Sequence, residues 1–313
     1  MKRALVFSGQ GSQSVGMGQA LAGAFAEARE VFQEVDEALG QNLTRLMAEG
    51  PAEDLKLTEN AQPALMAVSM AVIRVMDKQG NFRLPQAALF VAGHSLGEYS
   101  ALCAAGSFTL ADTARLLKKR GVAMQQAVPV GVGAMAALIG VDLATAQDIA
   151  AAAAQGEICT AANDNAPGQV VVSGHAAAID RAMAIAAERG FKRSIKLPVS
   201  APFHCPLMQP AADIMQKALA DIAIKPPAVP LIANVTAEAV NDVNKIRTLL
   251  VQQITAPVRW RESVLYMKGN GIEQLIECGA GNVLAGLTKR IDKEITAISL
   301  HTPEEIEGFL KNV

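Results

Sequence analysis

Hydrophobic positions in this chain fall into short blocks, separated by longer stretches with helical spacing, which is the rhythm of an α/β protein. The first block, Ala4 to Phe7, is apolar throughout, as a buried strand requires. Helices are predicted near 18–39 and 63–79. A second apolar block, Ala87 to Ala92, runs into a glycine-flanked turn, and Glu98 to Ala105 then has helix-forming composition. From about residue 128 the pattern changes to a strand at 133–141, a helix at 143–154, strands at 157–162 and 169–173, a helix at 176–189 and a strand at 192–197. That order, βαββαβ, marks a ferredoxin-like split unit over 128–198, inserted between two segments of a larger domain, 1–127 and 199–313. After Pro198 the alternation resumes, with strands predicted at 229–234 and 273–277.

Composition narrows the class. The chain has 313 residues, enough for one large domain carrying a smaller insert, and 51% hydrophobic content with only 4% aromatic, which fits close-packed helices over buried strands. A net charge of −2 gives no general attraction to nucleic acid or to an anionic membrane. Cys103, Cys159, Cys205 and Cys278 are widely spaced, with no Cys-x-x-Cys pair, so reduced thiols are expected rather than a zinc site or a disulfide framework. The apolar run after Lys2 and Arg3 is too short for a signal-peptide core, and no stretch is long enough to span a bilayer; a cytoplasmic enzyme is expected.

The turn after Ala92 is Gly93-His94-Ser95-Leu96-Gly97, the Gly-x-Ser-x-Gly arrangement that mounts a serine nucleophile between strand and helix. Its context of apolar strand, turn and helix points to acyl transfer. A serine nucleophile needs a base, and the four histidines are His94, His175, His204 and His301. His94 precedes the serine, so its ring should point away from the hydroxyl. His204 is the best candidate. It lies in Ser200-Ala201-Pro202-Phe203-His204-Cys205-Pro206, a loop stiffened by two prolines where the insert rejoins the main domain, although a surface loop histidine would read the same way.

Ser8-Gly9-Gln10-Gly11-Ser12-Gln13 fits neither a Walker loop nor Gly-x-Gly-x-x-Gly. Backbone N–H groups from this turn and from Leu96 could instead form an oxyanion hole; a plain strand-to-helix turn is the alternative. Lys118-Lys119-Arg120 reads either as a solvated charged face or, if Arg120 turns inward, as a guanidinium for a substrate carboxylate.

These segments, together with Glu98-Tyr99, Met124-Gln125, Gly133-Ala134-Met135, Pro167-Gly168-Gln169, Gln253 and Gly279-Ala280-Gly281 with Leu284, resemble the malonyl-CoA:acyl carrier protein transacylase family and the related acyltransferase domains of polyketide synthases. The likeness runs over nearly the whole chain. It implies a hydrolase-like α/β core with a parallel sheet and the inserted ferredoxin-like subdomain. It also implies a ping-pong reaction through a malonyl-Ser95 ester, with acyl carrier protein as acceptor, malonyl-CoA as donor and no metal or cofactor. His204 would be the base, oriented by the backbone carbonyl of Gln253, or of Gln252 if the segment shifts by one residue; only backbone position would matter there. Gln10 and Leu96 would supply the oxyanion N–H groups. Arg120 would bind the malonyl carboxylate, and an acetyl group would leave it unpaired. Met124 and Phe203 would line the acyl pocket, the ring of Phe203 crowding an α-methyl branch. A monomer is expected.

Three positions depart from the family pattern: Ser8 where proline is common, Asp164 where an apolar residue is frequent, and Thr255-Ala256 in place of a bulkier pair. A polyketide-pathway enzyme of the same family and a serine carboxylesterase or thioesterase are the rival readings. The hydrolase needs an acid before its histidine, and no residue announces that role. A non-catalytic carrier-protein docking module is disfavoured because Ser95, His204 and Arg120 are all present.

Overall fold

Alternate residues of the first strand face opposite sides of one sheet, and both sides are covered. In β1 (Arg3–Phe7), Leu5 and Phe7 join the larger core, whereas Ala4 and Val6 join a second core around Trp260, Val264 and Met267. The structure, a computed structural model, describes residues 1–199 and 201–312. Ser200, in the loop expected to carry the base, lies outside the described residues.

The large sheet contains β1, β2 (Phe90–Gly93), β7 (Leu231–Ile232), β8 (Ala239–Val240), β9 (Gln274–Cys278) and β10 (Thr296–Leu300), in the order β10-β9-β1-β2-β7-β8. All neighbours are parallel except the short β7–β8 pair. The second sheet contains β3 (Gly133–Ile139), β4 (Cys159–Ala166), β5 (Gln169–His175) and β6 (Ser194–Lys196), in the order β4-β5-β3-β6, all antiparallel. Helices Leu143–Ala154 and Ala176–Glu188 cover one face of it with a core of small aliphatic side chains. The chain is therefore α/β, a mostly parallel sheet with a separate βαββαβ unit, as the apolar rhythm predicted.

Several boundaries move for identifiable reasons. The predicted helix at 18–39 is two helices, Gln19–Ala24 and Ala26–Leu39, broken where Phe25 takes an extended conformation and packs on the core. The helix expected from 63 starts at Thr58, with Pro63 inside it and Asn60, Ala61 and Gln62 already buried. The apolar block at 87–92 is only partly strand: Leu84–Ala87 is a short helix, and pairing with β1 begins at Phe90. The strand predicted to stop at 162 continues as β4 through Asn163-Asp164-Asn165, with bulges where its register against β5 shifts. Those polar residues look like a turn, but each has a polar task. Asp164 pairs with Arg261 (2.8 Å), Asn165 bonds His94 (2.9 Å), and Asn163 lines a cavity that also contains Ser95. β8 and β10 had no counterpart in the pattern of the sequence.

Candidate active site

The parallel strand β2 ends at Gly93, and the helix Gly97–Ala104 starts four residues later, so the chain must reverse within Gly93–Gly97. Space requires these two glycines. A Cβ on Gly93 would stand 1.9 Å from the Gly97 carbonyl, and one on Gly97 would stand 2.3 Å from the Phe7 carbonyl oxygen. The left-handed backbone of the turn falls on Ser95 itself, at φ 55°, a conformation that a non-glycine residue adopts only when its surroundings hold it. Asn234 supplies that hold. Its Oδ1 accepts from Ser95 N–H (2.8 Å), and its Nδ2 donates to the Gly93 carbonyl (2.7 Å).

Ser95 Oγ lies 2.8 Å from His204 Nε2, and His204 Nδ1 lies 2.8 Å from the Gln253 backbone carbonyl. A carbonyl only accepts, so Nδ1 carries the proton and Nε2 is left as the acceptor for the serine proton. The carbonyl of Gln252 serves elsewhere, accepting from Thr255 and Ala256 N–H. His204 is 4% exposed and also has positive φ, at 58°. Burial, and then the nearby charge of Arg120, push its pKa down to about 3, so the ring is neutral near pH 7. The other histidines are engaged elsewhere: His94 with Asn165, its ring tilted against Trp260 at 5.8 Å, His175 with Ile158 N–H, and His301 with Glu305.

Of the charged run on the helix Leu110–Gln126, only Lys119 is a plain solvated residue. Lys118 is half-buried against Gln41 and Asn60, and Arg120, 1% exposed, shares the inward face with Thr113, Leu117 and Met124. Arg120 Nη2 donates to Ser95 Oγ (3.1 Å) and to Gln253 Oε1 (2.8 Å), and Nη1 donates to Gln62 Oε1 (2.7 Å). The guanidinium is thus not unpaired when no carboxylate is bound, contrary to the expectation above. Two amide oxygens satisfy donors without neutralising its charge, and Nε has no hydrogen-bond partner among the described residues. What an acetyl group would leave behind is a buried cation with no carboxylate in direct contact.

Gln253 does more than offer its backbone carbonyl. Its side-chain Nε2 donates to the Ser95 carbonyl (2.8 Å) and to Glu98 Oε2, while its Oε1 meets Arg120. Glu98, 1% exposed, takes Asn234 N–H on its other oxygen (2.8 Å). Burial raises its pKa to about 7 against the opposing pull of these hydrogen bonds and of Arg120. Glu98, Asn234, Gln62 and the Gln253 side chain are the site residues that sequence reasoning missed. A carboxylate inside an otherwise uncharged helix was the one local signal, at Glu98.

A cavity of about 350 Å³ opens above Ser95, lined by Gln10, Leu96, Arg120, Met124, Phe203 and His204, with Asn163 and Leu197–Val199 from or beside the smaller sheet. The backbone N–H groups of Gln10 and Leu96 donate to nothing among the described residues. Met124 is fixed by contact of its Sδ with Gln62 Nε2 (3.8 Å). The departures from the family pattern have local partners: Ser8 Oγ donates to the Ala280 carbonyl (3.2 Å), Asp164 pairs with Arg261, and Thr255-Ala256 closes the turn that carries Gln253. No cluster of side chains among the described residues has the makeup of a metal site, and no helix is long and apolar enough to cross a membrane.

Comparison with known proteins places this chain among relatives. The acyl transferase domain family matches residues 4–295. The malonyl CoA-acyl carrier protein transacylase of Escherichia coli K12 is 46% identical over 308 residues, covering 98% of each chain. The crystal structure of the acyl-carrier-protein-S-malonyltransferase from Bartonella henselae superposes with a TM-score of 0.97 at 54% identity, over 99% of each chain. A malonyl-transacylase solved in complex with a type II polyketide synthase acyl-carrier protein superposes with a TM-score of 0.96 at 41% identity, over 100% of each chain.

Proposed function

The chain belongs to the acyl transferase domain family, and on that premise we propose how its site performs malonyl transfer. The protein is an acyl-carrier-protein S-malonyltransferase, moving a malonyl group from malonyl-CoA to acyl carrier protein for fatty-acid synthesis. One observation carries the assignment of roles: Arg120, Ser95 and His204 form a continuous hydrogen-bonded chain at the floor of one cavity.

In this reading the malonyl carboxylate takes free donors of Arg120 and neutralises its charge, which brings the thioester carbonyl over Ser95. Ser95 Oγ attacks that carbonyl carbon while His204 Nε2 takes the hydroxyl proton. The tetrahedral oxygen becomes an anion facing the N–H groups of Gln10 and Leu96. The carbon–sulfur bond breaks, the proton on Nε2 passes to the leaving CoA sulfur, and malonyl-Ser95 remains. The carrier's phosphopantetheine thiol then gives its proton to Nε2 and attacks the ester, and Ser95 recovers its proton as the new thioester departs. Because Arg120 lowers the basicity of His204, charge neutralisation by the bound carboxylate would strengthen the base when it is needed. Met124 and Phe203 would bound the acyl group.

His204 is oriented by a carbonyl, as transfer between thiols allows, and no carboxylate meets its Nδ1 among the described residues. We take a monomer as the working unit. We place the reaction in the cytoplasm, with no cofactor beyond the two thiol-bearing substrates. Intact-mass measurement after adding malonyl-CoA should show one malonyl adduct that Ser95→Ala abolishes. Phosphopantetheinylated carrier protein should then discharge it. Malonate release at the same rate with and without carrier would overturn the transferase assignment.

A further inference from the structure

We infer that Glu98 is a positioning residue for malonyl selectivity: its carboxylate fixes the orientation of the Gln253 amide, which in turn holds Arg120 beside Ser95. The inference rests on the site assignment above and adds a residue whose side chain does not reach the Ser95 hydroxyl, although its backbone N–H donates to the Ser95 carbonyl (3.0 Å).

Hydrogen-bond roles fix the orientation of the Gln253 amide. Gln253 Nε2 faces the Ser95 carbonyl at 2.8 Å, Glu98 Oε2, and Asn234 Oδ1 at 3.4 Å, all acceptors; Gln253 Oε1 faces the Arg120 Nη2 donor at 2.8 Å. Rotating the amide by half a turn would set an NH₂ group against a guanidinium and an oxygen against three acceptors. One orientation is therefore selected, and the strongest acceptor selecting it is the ionised carboxylate. No carboxylate pairs directly with Arg120 among the described residues, so Glu98 is its counter-charge at one amide's remove. The same carboxylate reaches the elbow through Asn234, whose N–H it accepts at 2.8 Å. A buried carboxylate is costly where an apolar side chain would pack.

Replacing Glu98 by Gln tests this with little change of shape. The new side chain can still accept from Asn234 N–H, but its NH₂ then opposes Gln253 Nε2 and drives the amide to its flipped state. Formation of malonyl-Ser95 should slow on the order of tenfold to a hundredfold, the range for loss of one hydrogen bond to a charged group. Formation of acetyl-Ser95 from acetyl-CoA should change much less. Glu98→Asp should recover part of the malonyl rate. Gln253→Ala keeps the backbone carbonyl for His204 and should give a comparable malonyl-selective loss, and adding Glu98→Gln to it should cost nothing further. The wild type offers an independent readout. The ionisable groups acting on Glu98 are Arg120, on the helix Leu110–Gln126, and Tyr99, on its own helix; neither changes charge near neutrality. The malonyl-to-acetyl rate ratio should therefore fall as pH drops through about 7. Equal loss for both acyl groups, multiplying effects of the two substitutions, or a ratio flat between about pH 8 and 6 would each overturn the inference. A wild type that forms no malonyl-Ser95 ester at all would instead remove the site assignment, and this inference with it.

Discussion

Glu98 and Glu277 are both buried near the carboxyl ends of strands in one parallel sheet, with β1 between those strands, and they are held in opposite ways. Glu277 accepts from Leu284 N–H (3.1 Å) and Ala285 N–H (2.9 Å) at the start of the helix Val283–Ile291, with Ser299 Oγ at 3.4 Å. Its partners are mostly backbone donors, and its charge completes a helix end. Glu98 has one backbone donor, and its remaining partner is a side-chain amide leading to a cation and a nucleophile. Burial raises the pKa of both. Burial and an altered pKa therefore do not separate a functional carboxylate from a structural one; the identity of the donor does. Backbone donors leave one arrangement, whereas a side-chain donor transmits whatever the carboxylate does.

The largest effect that would sharpen this contrast is expected at the end of the Glu98 chain. Arg120→Ala should slow malonyl-Ser95 formation by about a hundredfold to a thousandfold, because it removes the charged partner of the acyl carboxylate. Acetyl loading should fall far less, or rise. Single-turnover mass measurements with the two thioesters decide it, and equal losses would detach the whole Glu98 network from selectivity.

A smaller effect of the other kind is expected at Glu277. Glu277→Ala leaves two buried N–H groups without an acceptor and should cost about 2 kcal/mol of stability, seen as a lower melting temperature. Malonyl transfer per folded molecule should be unchanged. A loss of activity without a loss of stability would break the comparison, because the second carboxylate would then also be acting on the site.

How much of this was legible beforehand differs between the same two regions. The elbow announced itself because its glycines, serine and flanking elements are contiguous, and the order of the inserted unit followed from apolar periodicity. Arg120 could have been placed inward from spacing alone, since Thr113, Leu117, Arg120 and Met124 recur at helical intervals. Asn234 could not: it follows a strand of two residues and meets Ser95 across 139 positions of sequence, with no local pattern to mark it. The side chain of Gln253 was invisible for a related reason, because its role depends on three groups brought together from separate elements. β4 was cut short because Asn163, Asp164 and Asn165 break the apolar pattern for the sake of contacts the sequence does not display. Local rules failed where the strand turns polar toward His94, Arg261 and the cavity.

The last expected effect concerns pH and stability, and it separates the requirements of the fold from those of the site. The Glu98 carboxyl has its pKa raised to about 7 in the folded protein, above the ordinary value of 4.5 that it regains on unfolding. Between those values the folded chain holds the proton more tightly than the unfolded chain, so stability from this group falls as pH rises through the window and rises as pH is lowered. Glu98→Gln removes the titration. The melting temperature of the wild type relative to Glu98→Gln should therefore increase from pH 8 to about pH 5, while malonyl loading by the wild type decreases over the same range. Ionised Glu98 aligns Gln253 and Arg120 but is the less stable form of a buried group; protonated Glu98 stabilises the fold and loosens the amide. If the difference in melting temperature is flat across this range, Glu98 does not titrate there, and any acidic limb in malonyl loading belongs to another group. His204 is a poor substitute, because burial and Arg120 keep it neutral until far lower pH.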